Sequence, residues 1–342
     1  MGRLLFWLAV LGGAAAIFLY FFFTSAIARP GPNAQAEAFV VESGASGADI
    51  ASALQSEGFI TDALLFRIAN RLYGSGQALQ AGEYQIPARA SVRQIVEMMT
   101  SGDALQHALT FHEGITIAAA MKILEESDVL TGDMPDAPPE GSILPETYHV
   151  QRGMTRAALL QQMREARDRA LEEIWAGRQA NLPVSTPEEL VILASIVERE
   201  TGVPAERPQV AAVFVNRLRA PMRLDSDPTI IYGVCRQFPD RCVDGRLVNA
   251  QGQRRTIRAS EIALNTGYNT YRIDRLPPTP ICNPGRAALE AAANPAQSNA
   301  LYFVADGTGG HVFAATLAEH NAAVARWRQI EAQRLAEERA SN

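Results

Sequence analysis

An uninterrupted apolar run near the amino terminus constrains the fold of this chain most strongly. The run LLFWLAVLGGAAAIFLYFFF occupies residues 4–23 and contains no charged residue. A helix needs about 20 apolar residues to cross the hydrocarbon core of a bilayer. We therefore expect one transmembrane helix over residues 4–23, followed by a domain that folds outside the bilayer.

A cleaved signal peptide is the alternative interpretation of the same run. The sequence SAIA at residues 25–28 has the small residues of a cleavage site, although the apolar region is longer than in most signal peptides. Arg3 precedes the run and Arg29 follows it, so the positive-inside rule gives almost no asymmetry. We expect a retained anchor, with a short amino-terminal stub inside and a large domain outside.

The composition excludes some classes of protein. The 342 residues are 47% hydrophobic and 20% charged, which allows about two globular units. A net charge of -6, without a basic stripe interleaved with aromatics, argues against a nucleic-acid-binding protein. The five histidines and three cysteines lack the spacing of metal ligands, so we predict no metal and no cofactor. A bridge between Cys235 and Cys242 would suit an oxidising periplasm, but three free thiols are equally compatible with the sequence.

The hydrophobic pattern predicts an α+β fold in two parts. Residues 28–38 form a Pro/Gly/Ala linker, after which short strands and amphipathic helices alternate up to residue 108. A second pattern begins at residue 109 with a strand-to-helix unit, a Pro-rich connection and a long charged helix. We expect an anchor and the start of the linker at residues 1–30, a small module at 31–108, and a larger mixed α/β domain at 109–342.

One predicted helix, in STPEELVILASIVERETGVP, has unusually complete start and stop signals. Thr186 is the expected N-cap, Pro187 the first helical residue and Glu189 the partner in a capping box. Gly202 and Pro204 are the expected stops.

Two glutamates lie in the last turn of this helix. At 100° per residue, Glu200 lies within roughly 50° of the mean apolar direction and Glu198 roughly 105° away from it. Burial and the carboxyl end of a helix both raise a glutamate pKa, as a general acid near neutrality requires. Arg199 or Arg207 could instead pair with a carboxylate and keep it charged. The residues alone therefore leave a solvated helix end as the alternative to catalysis.

Five sequence blocks in the second half of the chain resemble one known family. They are LASIVERET (193–201), VAAVFVNRLRAPMRLDSDPTIIYG (210–233), YNTY (268–271), LPPTPICNPG (276–285) and LYFVADGTGGHVFAATLAEHN (301–321). Together they resemble the YceG-like family of endolytic murein transglycosylases, and the resemblance covers most of residues 109–330. The segment at 31–108 resembles the LysM-like subdomain of that family, and the apolar run resembles its single membrane anchor.

The resemblance implies a reaction and a location. The expected enzyme is a lyase of the inner membrane, with its catalytic domain in the periplasm. It would cleave the bond between N-acetylmuramic acid and N-acetylglucosamine in nascent glycan strands, leave 1,6-anhydro ends and so end strand elongation. Its expected partners are glycan strands and peptidoglycan synthases. Two alternatives remain open: a noncatalytic peptidoglycan-binding scaffold, and a hydrolase that uses water with a second carboxylate such as Asp227.

The resemblance also assigns site residues. The Glu-Thr pair in VERET resembles the Glu-Ser pair of other lytic transglycosylases and maps the catalytic residue onto Glu200, with Glu198 as the alternative. Asp227 would order a sugar hydroxyl or cap a turn. Asn269 and Tyr271 would offer an amide and an aromatic face to a saccharide, or simply pack.

Some segments depart from the family pattern. Arg275 and Thr279 stand where the family tends to have glycine, and the segment 235–255 looks longer than the plain family loop. The stretch ADGTGGH, residues 305–311, joins two predicted strands and is expected to form a hairpin turn.

Overall fold

The computed structural model describes residues 2–74 and 76–341, and the chain divides into two compact units. The first unit extends to Leu109 and includes the short segments 128–131 and 149–155. The second unit contains the rest of the described chain, that is 110–127, 132–148 and the residues from 156 onward. Helices and strands are mixed along the chain, as the sequence predicted.

The first unit begins with the apolar helix α1, Gly2–Ile27. Its most apolar window has a mean hydropathy of 2.2 and no buried residue. The length and composition therefore suit a membrane-spanning helix, and a signal sequence has the same two properties. The last residue of α1, Ile27, is fully buried in the hydrophobic core of the first unit.

Two antiparallel strands and three helices form the body of the first unit. The elements are β1 (Glu37–Val41), α2 (Gly47–Ser56), α3 (Ala63–Tyr73), β2 (Gly82–Ile86) and α4 (Val92–Ser101). Glu37 of β1 lies opposite Ile86 of β2. Phe39 of β1 lies opposite Tyr84 of β2, and both side chains are buried. They lie on the same face of the sheet, because directly opposite residues of paired strands point to the same side. Short strands and helices thus alternate in this segment, as the sequence predicted.

The second unit is mainly helical. The strands β3 (Gln106–Thr110) and β4 (Thr147–Gln151) pair with each other, and most of both strands belongs to the first unit. The remaining elements are α5 (Ile117–Glu126), α6 (Arg156–Ala176), α7 (Pro187–Glu200), α8 (Arg207–Arg219), α9 (Asp227–Gln237), β5 (Cys242–Val243), β6 (Arg246–Leu247), α10 (Ala259–Ile262), α11 (Arg286–Ala293), β7 (Tyr302–Ala305), β8 (His311–Ala314) and α12 (Leu317–Ser341).

Helix α7 lies at the centre of the second unit. Its residues from Leu190 to Val197 are all buried, and it packs against α6, α8, α9 and α11. Thr186 caps the helix, since its hydroxyl accepts the N–H of Glu189 at 3.2 Å. The predicted capping box differs in one respect, because the Glu189 carboxylate accepts the N–H of Ser185, at 2.6 Å.

Two smaller expectations are settled by the structure. The strands β7 and β8 form an antiparallel hairpin in which Ala305 lies opposite His311, so the stretch between them is a turn, as predicted. Cys235 and Cys242 form a disulfide bond, and Cys282 is a buried free thiol.

Candidate active site

Glu200 is the last residue of α7, at the point where the helix passes from the core to the surface. Its side chain is half-buried, whereas the residues up to Val197 are fully enclosed. Thr201 follows in an extended conformation and ends the helix. The carboxyl group of Glu200 is therefore held on a rigid element and lies at the wall of a cleft.

A buried hydroxyl holds this carboxyl group in place. Ser226 is fully buried, and its hydroxyl donates a hydrogen bond of 2.5 Å to Oε1 of Glu200. The N–H of Ser226 donates to Oγ1 of Thr270 at 2.9 Å, and the hydroxyl of Thr229 donates to the Ser226 carbonyl at 2.6 Å. The segments DSDPT and YNTY, far apart in the sequence, thus meet at the end of α7 and fix one donor against Glu200.

Burial raises the pKa of Glu200 to about 7, because removal from water disfavours the charged carboxylate. The hydrogen bond from Ser226 favours the charged form and opposes the rise in pKa, while the negative charge of Asp227 adds to it. Within residues 2–74 and 76–341, no lysine or arginine lies at ion-pair distance from Glu200. At neutral pH this carboxyl group can therefore both give and take a proton.

Glu198 has a different environment, although it lies only two residues away. Its Oε2 accepts the N–H of Gly285 at 2.9 Å, and its Oε1 accepts Arg207 at 3.2 Å. The side chain is only 5% exposed, and Arg207 also pairs with Glu113 at 2.8 Å. Burial raises the pKa of Glu198 against the opposing effects of Gly285 and Arg207.

The sequence allowed either glutamate at the helix end to pair with Arg207, and in the structure Glu198 forms this ion pair. Both carboxylate oxygens of Glu198 accept hydrogen bonds from other parts of the fold, whereas Glu200 lines the cleft. The helical projection underestimated the burial of Glu198, because the residues that cover it, around Gly285 and at the start of α8, are distant in the sequence.

The structure places two of the candidate site residues, Asp227 and Tyr271, near Glu200. Asp227 is the first residue of α9 and lines the same cleft as Glu200. The hydroxyl of Tyr271 donates to Oδ1 of Asp227 at 2.9 Å. Burial, together with the charge of Asp227, raises the pKa of Tyr271 above its usual value, so this phenol stays a neutral donor.

Asn269 does not join the other predicted site residues. It is fully buried, and its amide N–H groups donate to the carbonyls of Ile262 and Leu264 at 2.9 and 2.7 Å. Its side-chain oxygen accepts the N–H of Tyr271 at 3.0 Å. The predicted contact with a saccharide is therefore corrected to a positioning role, since an asparagine in a turn satisfies nearby backbone groups.

The cleft has a volume of about 680 Å³, which is within the usual range for small-molecule sites. Besides Glu200 and Asp227, its lining comes mainly from the segment between α9 and α10. That segment contributes Arg246, Arg254 and Arg255, which the sequence analysis had not singled out. Among the described residues, no cluster of His, Cys, Asp or Glu could hold a metal ion.

Glu140 is a partly buried carboxyl group with a raised pKa that the sequence analysis missed. Burial raises its pKa to about 7, and both of its oxygens lie 3.1 Å from the N–H of Ile117. Ile117 is the first residue of α5, so Glu140 stabilises the start of that helix. It lines a separate cavity of about 410 Å³ rather than the cleft at Glu200.

Comparisons with known proteins agree with the resemblance seen in the sequence. The endolytic murein transglycosylase of Bacillus subtilis (strain 168) is 28% identical over 314 residues, which cover 83% of this chain and 82% of that protein. The endolytic murein transglycosylase of Streptococcus pneumoniae serotype 2 (strain D39) is 34% identical over 179 residues, 51% of this chain and 29% of that protein. The crystal structure of a YceG-like protein from Listeria monocytogenes has a TM-score of 0.47 and 24% identity, with 84% of this chain and 98% of that chain covered.

The sequence profile of the YceG-like family matches residues 39–326. The match spans most of both structural units and includes α7, the DSDPT segment and the YNTY segment. This chain therefore belongs to the YceG-like family.

Proposed function

We propose that this protein is a lytic transglycosylase that cleaves the bond between N-acetylmuramic acid and N-acetylglucosamine in murein and leaves 1,6-anhydro ends. One observation carries the proposal: Glu200 presents a carboxyl group with a pKa of about 7 in a cleft of saccharide size. Family membership and the activity in the names of the two relatives give the substrate class.

In the first step, protonated Glu200 acts as a general acid. It gives its proton to the bridging oxygen as the bond from that oxygen to C1 of the muramyl residue breaks. A carboxyl group whose pKa lies near the working pH suits this role, because it combines a sufficient protonated fraction with sufficient acidity. The Ser226 hydroxyl, bound to Oε1, orients the group and stabilises the carboxylate that forms.

In the second step, the same carboxylate acts as a general base. It takes the proton of the C6 hydroxyl as O6 attacks C1, and the 1,6-anhydro ring closes. One bond to C1 breaks, one forms, and no water is consumed. An ordinary glycosidase requires a second carboxylate to attack C1 or activate water, whereas this reaction requires one.

The neighbouring residues have supporting roles in this proposal. The exposed carboxylate of Asp227 accepts sugar hydroxyl groups, and the neutral phenol of Tyr271 holds Asp227 in place. Asn269 accepts the N–H of Tyr271 and so positions Tyr271 without contacting the substrate itself.

The remaining chain localises the enzyme. We propose that α1 anchors the protein in the inner membrane and that residues 109–342 act in the periplasm. The module at 31–108 is proposed to be a LysM-like subdomain that binds glycan. Such an enzyme would cut nascent strands beside the synthases that make them, and thereby end their elongation.

A hydrolase is the second candidate, and the position of Asp227 favours it. This second carboxyl group lines the same cleft as Glu200 and could activate water. A hydrolase would leave reducing ends, so the chemistry of the product separates the two candidates.

The experiment compares glycan fragments released from murein by the full chain in detergent micelles and by two variants. Glu200→Gln should release no fragments, because the amide cannot transfer the proton. Glu188→Gln is the matched control, since Glu188 lies exposed in the first turn of the same helix. Full activity of Glu200→Gln would refute the assignment. Glycan binding by a wild-type protein that releases no fragments would favour the noncatalytic scaffold.

A further inference from the structure

The segment between α9 and α10 forms a braced arm beside the cleft. The disulfide between Cys235 and Cys242 ties its first residues to α9. Strands β5 and β6 then form a hairpin whose turn residues, Asp244 and Gly245, both have positive φ, 48° and 71°. This conformation matches the two-residue turns that suit the twist of a hairpin. Leu247 of β6 is 1% exposed.

Hydrogen bonds continue this bracing beyond the hairpin. Val248 forms a β-bridge with Arg254, and the N–H of Arg255 donates to the carbonyl of Leu247 at 3.0 Å. The side chain of Asn249 accepts the N–H of Gln253 at 2.9 Å. These contacts hold the backbone of the arm in place beside the cleft.

Three arginines of this arm line the cleft, and they differ in their partners. Arg255 donates to both oxygens of Glu261, at 2.8 and 2.7 Å, so its charge is neutralised. Arg246 and Arg254 are exposed, and within the described part of the chain neither forms an ion pair. The arm thus contributes two guanidinium groups without an ion-pair partner among the described residues to the cleft that contains Glu200; Arg199 of α7 also lines this cleft and donates to the carbonyl of Gly114 at 3.4 Å.

The chemistry of murein supplies a matching anion. Its N-acetylated sugars are neutral, and its negative charges are the carboxylates of the peptide stems attached to the muramyl residues. Guanidinium groups bind carboxylates through paired, charge-assisted hydrogen bonds. We propose that Arg246 and Arg254 bind stem-peptide carboxylates, so that the enzyme selects glycan that still carries its peptides. This inference rests on the proposed function, and it names the part of the substrate that the arm recognises.

The test compares cleavage of three forms of the same glycan strands by the full chain in detergent micelles. One form carries intact stems, the second has stems whose carboxylates are amidated, and the third has had its stems removed by an amidase. The third form keeps one lactyl carboxylate on each muramyl residue, so only the second form removes charge without removing bulk. The readout is kcat/KM for each form, measured for wild type, for the double variant R246Q/R254Q and for R164Q. Arg164 is an exposed arginine of α6 outside the cleft, and R164Q is the matched control.

Wild type and R164Q should prefer intact stems over amidated stems by about tenfold, which corresponds to two partly exposed charge pairs. R246Q/R254Q should lose most of this preference. The preference should also weaken with added salt, because salt screens exposed charges. An equal loss on all three substrates, or an unchanged preference in the double variant, would overturn the inference.

A binding measurement separates this inference from the proposed chemistry. In the E200Q background, calorimetry compares a muramyl disaccharide that carries a free-acid stem with its amidated form. Tighter binding of the acid, lost in the triple variant E200Q/R246Q/R254Q, would support the arginine contact whatever the reaction is. Equal binding of the two ligands would refute it, and binding of inorganic pyrophosphate in preference to the stem would assign the arginines to phosphate. If wild type cleaves none of the three strands while the acid ligand still binds more tightly, the proposed function alone fails.

Discussion

The burial of Glu200 predicts that its ionised form lowers the stability of the folded protein, and the substitution Glu200→Gln measures the effect. The folded protein holds the proton up to about pH 7, whereas the unfolded chain releases it near the ordinary value of 4.5. Between these two pH values the folded state binds more protons than the unfolded state, so this group makes the free energy of unfolding fall as pH rises.

The difference between the two pKa values corresponds to about 3 kcal/mol at pH 8. Glutamine cannot ionise, and its side-chain oxygen can still accept the Ser226 hydroxyl. We therefore expect Glu200→Gln to be more stable than wild type by this amount at pH 8 and equally stable at pH 4. For a unit of this size the gain corresponds to a rise of about 5–10 °C in melting temperature.

Thermal denaturation of both proteins, followed by circular dichroism in the same detergent at several pH values, measures the difference. The advantage of the variant should grow between pH 4.5 and pH 7 and then stay constant. Parallel pH dependences for the two proteins, or a variant that is less stable than wild type at pH 8, would refute the reasoning. Such a result would mean that the carboxyl group is ionised at ordinary pH and is a poor general acid.

Three further outcomes follow from the same contacts. Glu198→Ala should destabilise the fold by about 1–3 kcal/mol in urea denaturation, because it removes the acceptor of the Gly285 N–H and one partner of Arg207; an unchanged or stabilised variant would contradict this role. Ser226→Ala removes the donor that favours the carboxylate, so the fall in kcat/KM at high pH should move to a higher pH than in wild type; an unmoved profile would show that Ser226 does not act on Glu200. Cys242→Ala opens a short loop and should cost about 2 kcal/mol of stability by the same denaturation assay, whereas an unchanged midpoint would show that hydrogen bonds alone brace the arm.

The sequence predicted the elements of the fold well where local signals were strong. The N-cap Thr186, the following Pro187 and the stop at Gly202 locate α7 because each acts within one turn of the helix. The apolar face of that helix also indicated that Glu200 lies at the edge of the core.

The parts of the site that could not be predicted depend on contacts between distant segments. The backbone of Ser226, whose hydroxyl contacts Glu200, is held by a hydrogen bond to Thr270, 44 residues later. Glu198 is buried by Gly285, 87 residues away. Asn269 is polar and lies within a family block, so the sequence suggested that it binds substrate. In the structure its side chain instead forms hydrogen bonds with nearby backbone groups. No periodicity or capping rule carries this information.

The most direct test of the central claim is mass spectrometry of the fragments released from murein by the full chain in water enriched in the heavy oxygen isotope. If Glu200 acts alone as acid and then base, the fragments should end in 1,6-anhydro muramyl residues that carry no label. Reducing ends that carry the heavy isotope would contradict this, because they would show that water attacks C1 and that a second carboxylate, such as Asp227, takes part.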